Sequence, residues 1–293
     1  LKFIINERET FLMRENLKGR VAVITGGSGV LCSRFAKELA KVGVKVAILG
    51  LVQEECDQVA QEIKNDGGEA IGIACNVMDK ASMEAAEAKV SEVYGPCNIL
   101  INGAGGNSPR GTTTKEVLSF DDLKNKSAGN YTFFDIPAKD LESVFSLNCT
   151  GTMLTTQIFA PKMVGREGAV ILNISSMNAY RPLTKIPAYS AAKAAVSNFT
   201  QWLAVYLADV GIRVNAIAPG FFETAQNAKL LRNPDGSLTE RSHKILNHTP
   251  MKRFGKPEDL IGTLMYLCDE QESGFVTGVV IPVDGGFSAY SGV

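Results

Sequence analysis

Ser175 and Ser176 close one apolar run, and thirteen residues after Ser176 come Tyr189 and, four further on, Lys193. The tyrosine and lysine fall in a helical pattern over 188–207, which puts them on one face, a turn apart. A free phenol ionises at about pH 10. An ammonium beside it favours the phenolate and lowers that value, so the pair is expected to make a usable acid/base near neutral pH. A serine hydroxyl next to it can hold the oxygen of an alcohol or ketone while a proton moves.

A second set lies near the start. An apolar run over 21–25 leads into Thr25, Gly26, Gly27, Ser28, Gly29, Val30, Leu31 and Cys32, and then into a helical pattern over 33–41. Glycines between a strand and a helix let backbone approach a pyrophosphate, and the helix N-terminus supplies N–H donors. The next strand ends at Gly50, about where a carboxylate normally grips an adenosine ribose. Gly50 has no side chain, and Leu51 is no partner for a 2′-phosphate. The sequence therefore leaves NAD(H) and NADP(H) both open, with NAD(H) favoured. Gln53 either touches the ribose or is a solvated residue at a helix start.

The elements that must carry these residues alternate. Strand patterns fall at 21–25, 45–49, 70–74, 99–102, 169–174, 213–218 and 279–283, and helical patterns at 33–41, 54–64, 80–93, 188–207 and 257–267. Each strand is apolar on both faces, as strands covered by helices on both sides must be. The expectation is an α/β fold: a single doubly wound Rossmann-type domain with a seven-stranded, mainly parallel sheet and helices on both faces. It should span 19–293 after an N-terminal extension at 1–18, with an insertion loop at 106–139 and a substrate-binding lid at 221–254.

Thirty Lys and Arg against 31 Asp and Glu argue against nucleic acid or a membrane surface as partner. The six cysteines form no CxxC pair and no cluster with His at metal-ligand spacing, so we expect buried reduced thiols and no metal. A charged N-terminal stretch and no apolar run of about 18 residues point to a cytoplasmic protein.

Several motifs recur in one order: the Thr25–Cys32 turn, INGAG at 101–105, Leu147-Asn148, Ile174-Ser175-Ser176, YSAAK at 189–193, Pro219-Gly220 with Thr224 beyond, and VDGG at 283–286. From Gly19 onward the chain resembles the short-chain dehydrogenase/reductase family. The resemblance implies an NAD(P)-dependent oxidoreductase acting on CH–OH groups. It implies Tyr189 as acid/base, Lys193 on the nicotinamide ribose, Ser176 on the substrate oxygen, and Asn148 at a helix kink in the proton relay. Asn102, Ala104 and Gly105 would line the adenosine side, Asn76 and Val77 the adenine, and Pro219, Gly220 and Thr224 the nicotinamide end.

The chain departs from the family pattern in its turn. Val30 and Cys32 stand at the second and third glycines, so Cys32 is expected to space the helix from the sheet or re-route the turn. Gly103 replaces the second Asn of NNAG.

SSMNAYRPLTKIPAYSAAK, FTQWLA, APGFFET and the DGGFSAYSGV end are most similar to the D-mannonate oxidoreductase (fructuronate reductase) branch. This implies a sugar-acid substrate, D-mannonate or D-fructuronate. Arg is the best bidentate partner for its carboxylate. We expect Arg181 or Lys185 to grip that group and Asn178 to meet a hydroxyl; solvated loop cations are the alternative. The resemblance also implies a homotetramer. Another polyol or keto acid, such as gluconate and 5-ketogluconate, is the competing substrate, and a non-catalytic nucleotide-binding protein the competing class.

Overall fold

The computed structural model describes residues 14–124, 129–224 and 231–292. Seven strands form one sheet: β1 (Val21–Thr25), β2 (Lys45–Gly50), β3 (Ala70–Ala74), β4 (Ile99–Asn102), β5 (Val170–Ile174), β6 (Arg213–Pro219) and β7 (Val280–Val283). Their order is β3-β2-β1-β4-β5-β6-β7, and every adjacent pair is parallel. The order reverses between β1 and β4, where the crossovers diverge and leave a crevice beyond the strand ends.

The helices in chain order are α1 (Val30–Lys41), α2 (Gln53–Asn65), α3 (Lys80–Tyr94), α4 (Phe120–Lys124), α5 (Ala138–Phe145), α6 (Gly151–Phe159), α7 (Pro187–Tyr206), α8 (Glu240–His248), α9 (Ile261–Cys268) and α10 (Glu270–Ser273). Strand side chains alternate between two cores. Ala22 and Ile24 of β1 pack with Phe35 and Leu39 of α1, Ile63 of α2 and Leu264 of α9. Val21 and Val23 face the other way, onto Met83 of α3, Phe159 of α6 and Leu203 of α7. This period of two explains why each strand reads as a continuous apolar run. Each fully buried Phe or Leu contributes about 1.5–3 kcal/mol, so the strand ends that carry the site rest on a stiff base.

One expectation needs adjusting. Residues 1–13 of the expected extension lie outside the described residues, but 14–18 belong to the domain. Leu17 is fully buried in the first core, and the Asn16 amide donates to Asp269 Oδ1 at 2.7 Å. A π-helical turn, Ser146–Thr150, joins α5 to α6. The wider turn shifts the phase of the apolar face.

The insertion after β4 has internal order. The buried Asp122 carboxylate collects the Lys115 ammonium, the Ser119 N–H and hydroxyl, and the Asn130 amide. Those partners hold its pKa below the usual carboxylate range. Its backbone is also tied to the segment before α7: the Thr113 N–H donates to the Lys185 carbonyl at 2.9 Å. Residues 125–128 of the insertion and 225–230 of the expected lid lie outside the described residues. The six cysteines are buried and free, as expected.

Candidate active site

The turn after β1 is built by exclusion. Gly26 has φ 62°, and a Cβ there would lie 2.9 Å from Ala104 Cα. A Cβ on Gly27 would lie 2.8 Å from the Ile24 carbonyl. Neither position tolerates a side chain, for reasons of both space and, at Gly26, handedness. The Thr25 hydroxyl accepts the N–H groups of Gly103 and Ala104 at 3.1 and 3.2 Å, locking the β1 and β4 turns together. Gly29 is the N-cap of α1 and offers no side-chain cap. Helix α1 starts at Val30, earlier than the periodicity indicates, so its first N–H groups face the turn. Bare backbone with open donors at a helix start suits the pyrophosphate of a dinucleotide.

Cys32 is accommodated at the end of β4. Its thiol occupies the place a side chain on residue 103 would need. The two departures from the family pattern compensate each other: Gly103 makes room for Cys32.

Asn148 sits in the π turn, fully buried. Its amide donates to the carbonyls of Gly106 and Val144 at 2.7 and 2.8 Å, and its oxygen accepts the Gly106 N–H at 3.0 Å. A Cβ on Gly105 would lie 2.6 Å from Asn148 Oδ1 and 3.2 Å from Lys193 Nζ. Glycine at 105 is therefore what lets both groups reach the end of β4.

Lys193 Nζ donates to the Ile174 carbonyl at 2.7 Å and lies 5.7 Å from the centre of the Tyr189 ring. Ser175 pins α7 to β5 through the Lys193 carbonyl at 3.1 Å and the Ser197 hydroxyl at 2.7 Å. The Ser176 hydroxyl accepts the Asn178 N–H at 3.2 Å and lies near enough to the Tyr189 phenol to favour its ionised form. Serine, phenol and ammonium thus converge beyond β5.

The electrostatics differ from expectation. Burial raises the Tyr189 pKa above its ordinary value of 10.0, and the Ser176 hydroxyl only partly opposes it. Burial also pulls Lys193 down to about 8, with Cys32 and Cys149 nearby and no carboxylate among its causes. The ammonium does not outweigh the desolvation of the phenol, so the chain's own groups keep Tyr189 protonated.

Other sequence-predicted residues are placed less directly. Asn102 spends its amide inside the protein, on Thr156 Oγ1 at 3.1 Å and Asn173 Oδ1 at 2.8 Å. Asn76 Oδ1 turns back onto the Met78 N–H at 3.0 Å, and Val77 packs against Gly151. The half-exposed Gln53 spends its amide on the protein: it donates to the Gly72 carbonyl at 3.0 Å and the Asp57 carboxylate at 2.8 Å and accepts the Ala74 N–H at 2.7 Å, fastening α2 to β3. Pro219 is buried at the end of β6, and the Gly220 N–H donates to the Val283 carbonyl at 3.0 Å. Thr224 ends the described part of that loop.

Arg181 is exposed, and its Nε donates to the Ser288 carbonyl at 3.2 Å. Lys185 adopts a left-handed backbone, φ 72°, a conformation that costs a lysine energy and tends to mark working sites. Asn178 is buried, and its Oδ1 has no hydrogen-bond partner among the described residues. No group of three His, Cys, Asp or Glu suited to a metal occurs among the described residues, and none of their helices is long and apolar enough to cross a membrane. Sequence reasoning missed the anchoring roles of the Thr25 hydroxyl and the Gly106 backbone, because neither has a spacing signature.

The description short chain dehydrogenase matches residues 20–235. An uncharacterized oxidoreductase of Bacillus subtilis (strain 168), UxuB, is 53% identical over 96% of this chain and 99% of its own length. A crystal structure of a Haemophilus protein provisionally named D-mannonate oxidoreductase, with bound NAD, is 52% identical; it matches with a TM-score of 0.91 over 96% of this chain and all of that one. The 3-oxoacyl-[acyl-carrier-protein] reductase FabG of Aquifex aeolicus (strain VF5) is 33% identical over 94% of this chain and 99% of its own. The chain belongs to the short-chain dehydrogenase family and is an oxidoreductase of the kind that acts on CH–OH groups.

Proposed function

We propose that the protein interconverts D-mannonate and D-fructuronate with NAD(H). The observation that carries the chemistry is the convergence of Ser176, Tyr189 and Lys193 beyond β5. The substrate is supported by the likeness to the Haemophilus protein of that provisional name, and the cofactor by its bound NAD and the glycine-rich turn at Gly26–Gly29. Bound there, the nicotinamide supplies or accepts the hydride.

The chain's own residues manage the oxygen and the proton. Ser176 donates to the substrate oxygen and holds it against the Tyr189 hydroxyl. In reduction the phenol gives its proton to that oxygen; in oxidation the phenolate takes it back. Burial keeps the phenol protonated, which suits the reducing direction. Lys193, fixed by the Ile174 carbonyl, binds the nicotinamide ribose, and Asn148 holds the Gly105–Gly106 backbone beside it. Asn178 takes a sugar hydroxyl on its unpartnered Oδ1. The substrate carboxylate falls to Lys185 or Arg181.

Helix α7 exposes stacked rings, with Trp202–Tyr206 centroids 4.9 Å apart and Val205 81% exposed. An apolar helix face of this kind is covered by another surface, and a homotetramer would cover it. Light scattering that gives a monomer at working concentration would overturn that assembly.

The deciding experiment is turnover of D-fructuronate with NADH and with NADPH, for the wild type and Tyr189→Phe. The expected result is NADH-dependent reduction that falls about 10²–10⁴-fold in the variant while NADH still binds. No turnover of this substrate by the wild type with either nucleotide overturns the substrate assignment.

A further inference from the structure

The end of β2 carries no acid, and it has no room for one. A Cβ on Gly50 would lie 2.8 Å from the Cys56 thiol and 3.2 Å from the Ser28 hydroxyl. Beyond it Leu51 is 74% exposed and Val52 is exposed as well, so the rim of the adenosine side is uncharged. A carboxylate arrives there by another route. Glu55, in the first turn of α2, receives a hydrogen bond from the Ser28 hydroxyl at 3.2 Å. Ser28 belongs to the turn that faces the pyrophosphate, and the Gly27 N–H fastens that turn to the end of β2 through the Leu49 carbonyl at 2.9 Å. Glu55 makes no ion pair among the described residues; Gln53, at the same helix start, is spent on β3, and of the two acids in this first turn, Glu54 and Glu55, it is Glu55 that the Ser28 hydroxyl meets.

The geometry points to Glu55, held by Ser28, as the residue that selects the cofactor. This rests on the dinucleotide reading proposed above. A carboxylate is acceptor-only, so it pairs with the hydroxyls of an unphosphorylated adenosine ribose. It repels a 2′-phosphate placed against it. Glu55 therefore does from α2 what a side chain at position 50 has no space to do, and NAD(H) is bound in preference to NADP(H).

The test is equilibrium binding of NADH and of NADPH, each followed by its own fluorescence, with the wild type, Glu55→Gln and Glu55→Lys. Glu55 is exposed, and circular dichroism checks that the variants fold. The wild type is expected to bind NADH at least tenfold more tightly than NADPH. Removing a charge-assisted bond in Glu55→Gln should weaken NADH about tenfold or more and leave NADPH unchanged or tighter. Glu55→Lys should reverse the preference. If Glu55→Gln weakens both nucleotides equally, or neither, the assignment of Glu55 falls while the dehydrogenase reading stands. Wild-type protein that binds neither nucleotide overturns both.

Discussion

The Cys32 thiol and the bare α-carbon of Gly103 are fitted to each other across the crevice between α1 and β4: any side chain on residue 103 would strike the sulfur. The Thr25 carbonyl, 2.8 Å from the same point, closes the position from the backbone side as well.

Restoring only one partner should therefore harm the fold. Gly103→Asn is expected to overpack the site by about 1–3 kcal/mol, read as a lower denaturation midpoint. Adding Cys32→Gly should recover only the part of the loss owed to the sulfur, because the Thr25 carbonyl would still lie 2.8 Å from the new Cβ; that part appears as a coupling energy in a double-mutant cycle. Additive effects of the two changes would show that the contact is slack.

Lys193 is a buried ammonium whose pKa falls from 10.5 to about 8 on folding, with Cys32, Cys149 and Tyr189 around it. Below pH 8 both folded and unfolded chains carry the proton, and the folded protein bears the full cost of burying the charge. Between about 8 and 10.5 the unfolded chain binds more protons, so this group's contribution to stability rises with pH. Lys193→Met should abolish turnover yet raise Tm at pH 7 by on the order of a few °C. Relative to wild type, that gain should shrink as pH rises from 8 to 10.5. A gain that stays constant over this range, in calorimetry of both proteins, would contradict the buried-ammonium account.

Asn148→Ala removes three hydrogen bonds at once and leaves the Gly106 backbone and the Val144 carbonyl short of partners. Each group left unsatisfied costs about 1–3 kcal/mol. Both Tm and kcat should drop, and amide exchange at Gly106 should quicken. Unchanged protection there would mean the π turn does not need the asparagine.

Arg181 and Lys185 are separable by the shape of their effects. Arg181 holds the Ser288 carbonyl, so if it is only a clasp, Arg181→Ala should weaken all substrates alike. A residue that grips the carboxylate should, when removed, raise KM for D-fructuronate about tenfold or more and spare uncharged ketones. The clasp favours Lys185 for that role. Steady-state kinetics of Arg181→Ala and Lys185→Ala with both substrate types decide the matter.

The sheet was legible because buried parallel strands are short, β-branched and bounded by turns; β1, β3 and β4 have the expected limits, and the other four differ by one residue. The grouping of Ser176, Tyr189 and Lys193 was legible because a fixed separation and a helical i, i+4 pair are local features. The α5–α6 run was not, since the π turn breaks its period. Nor was the state of Tyr189: a sequence places an ammonium nearby but does not weigh its charge against the burial of both groups. The roles of Arg181, Asn102 and Gln53 depend on partners 107, 71 and 21 residues away, such as Ser288, Asn173 and Ala74, and no spacing rule reaches them.

The bond from Thr113 to the Lys185 carbonyl has a wider meaning. The insertion enters the chain directly after the backbone that Asn148 grips, and it touches the segment bearing Ser176 and Tyr189 from outside the sheet. A change in the insertion therefore reaches the backbone just before α7 through one main-chain bond, without passing through the sheet.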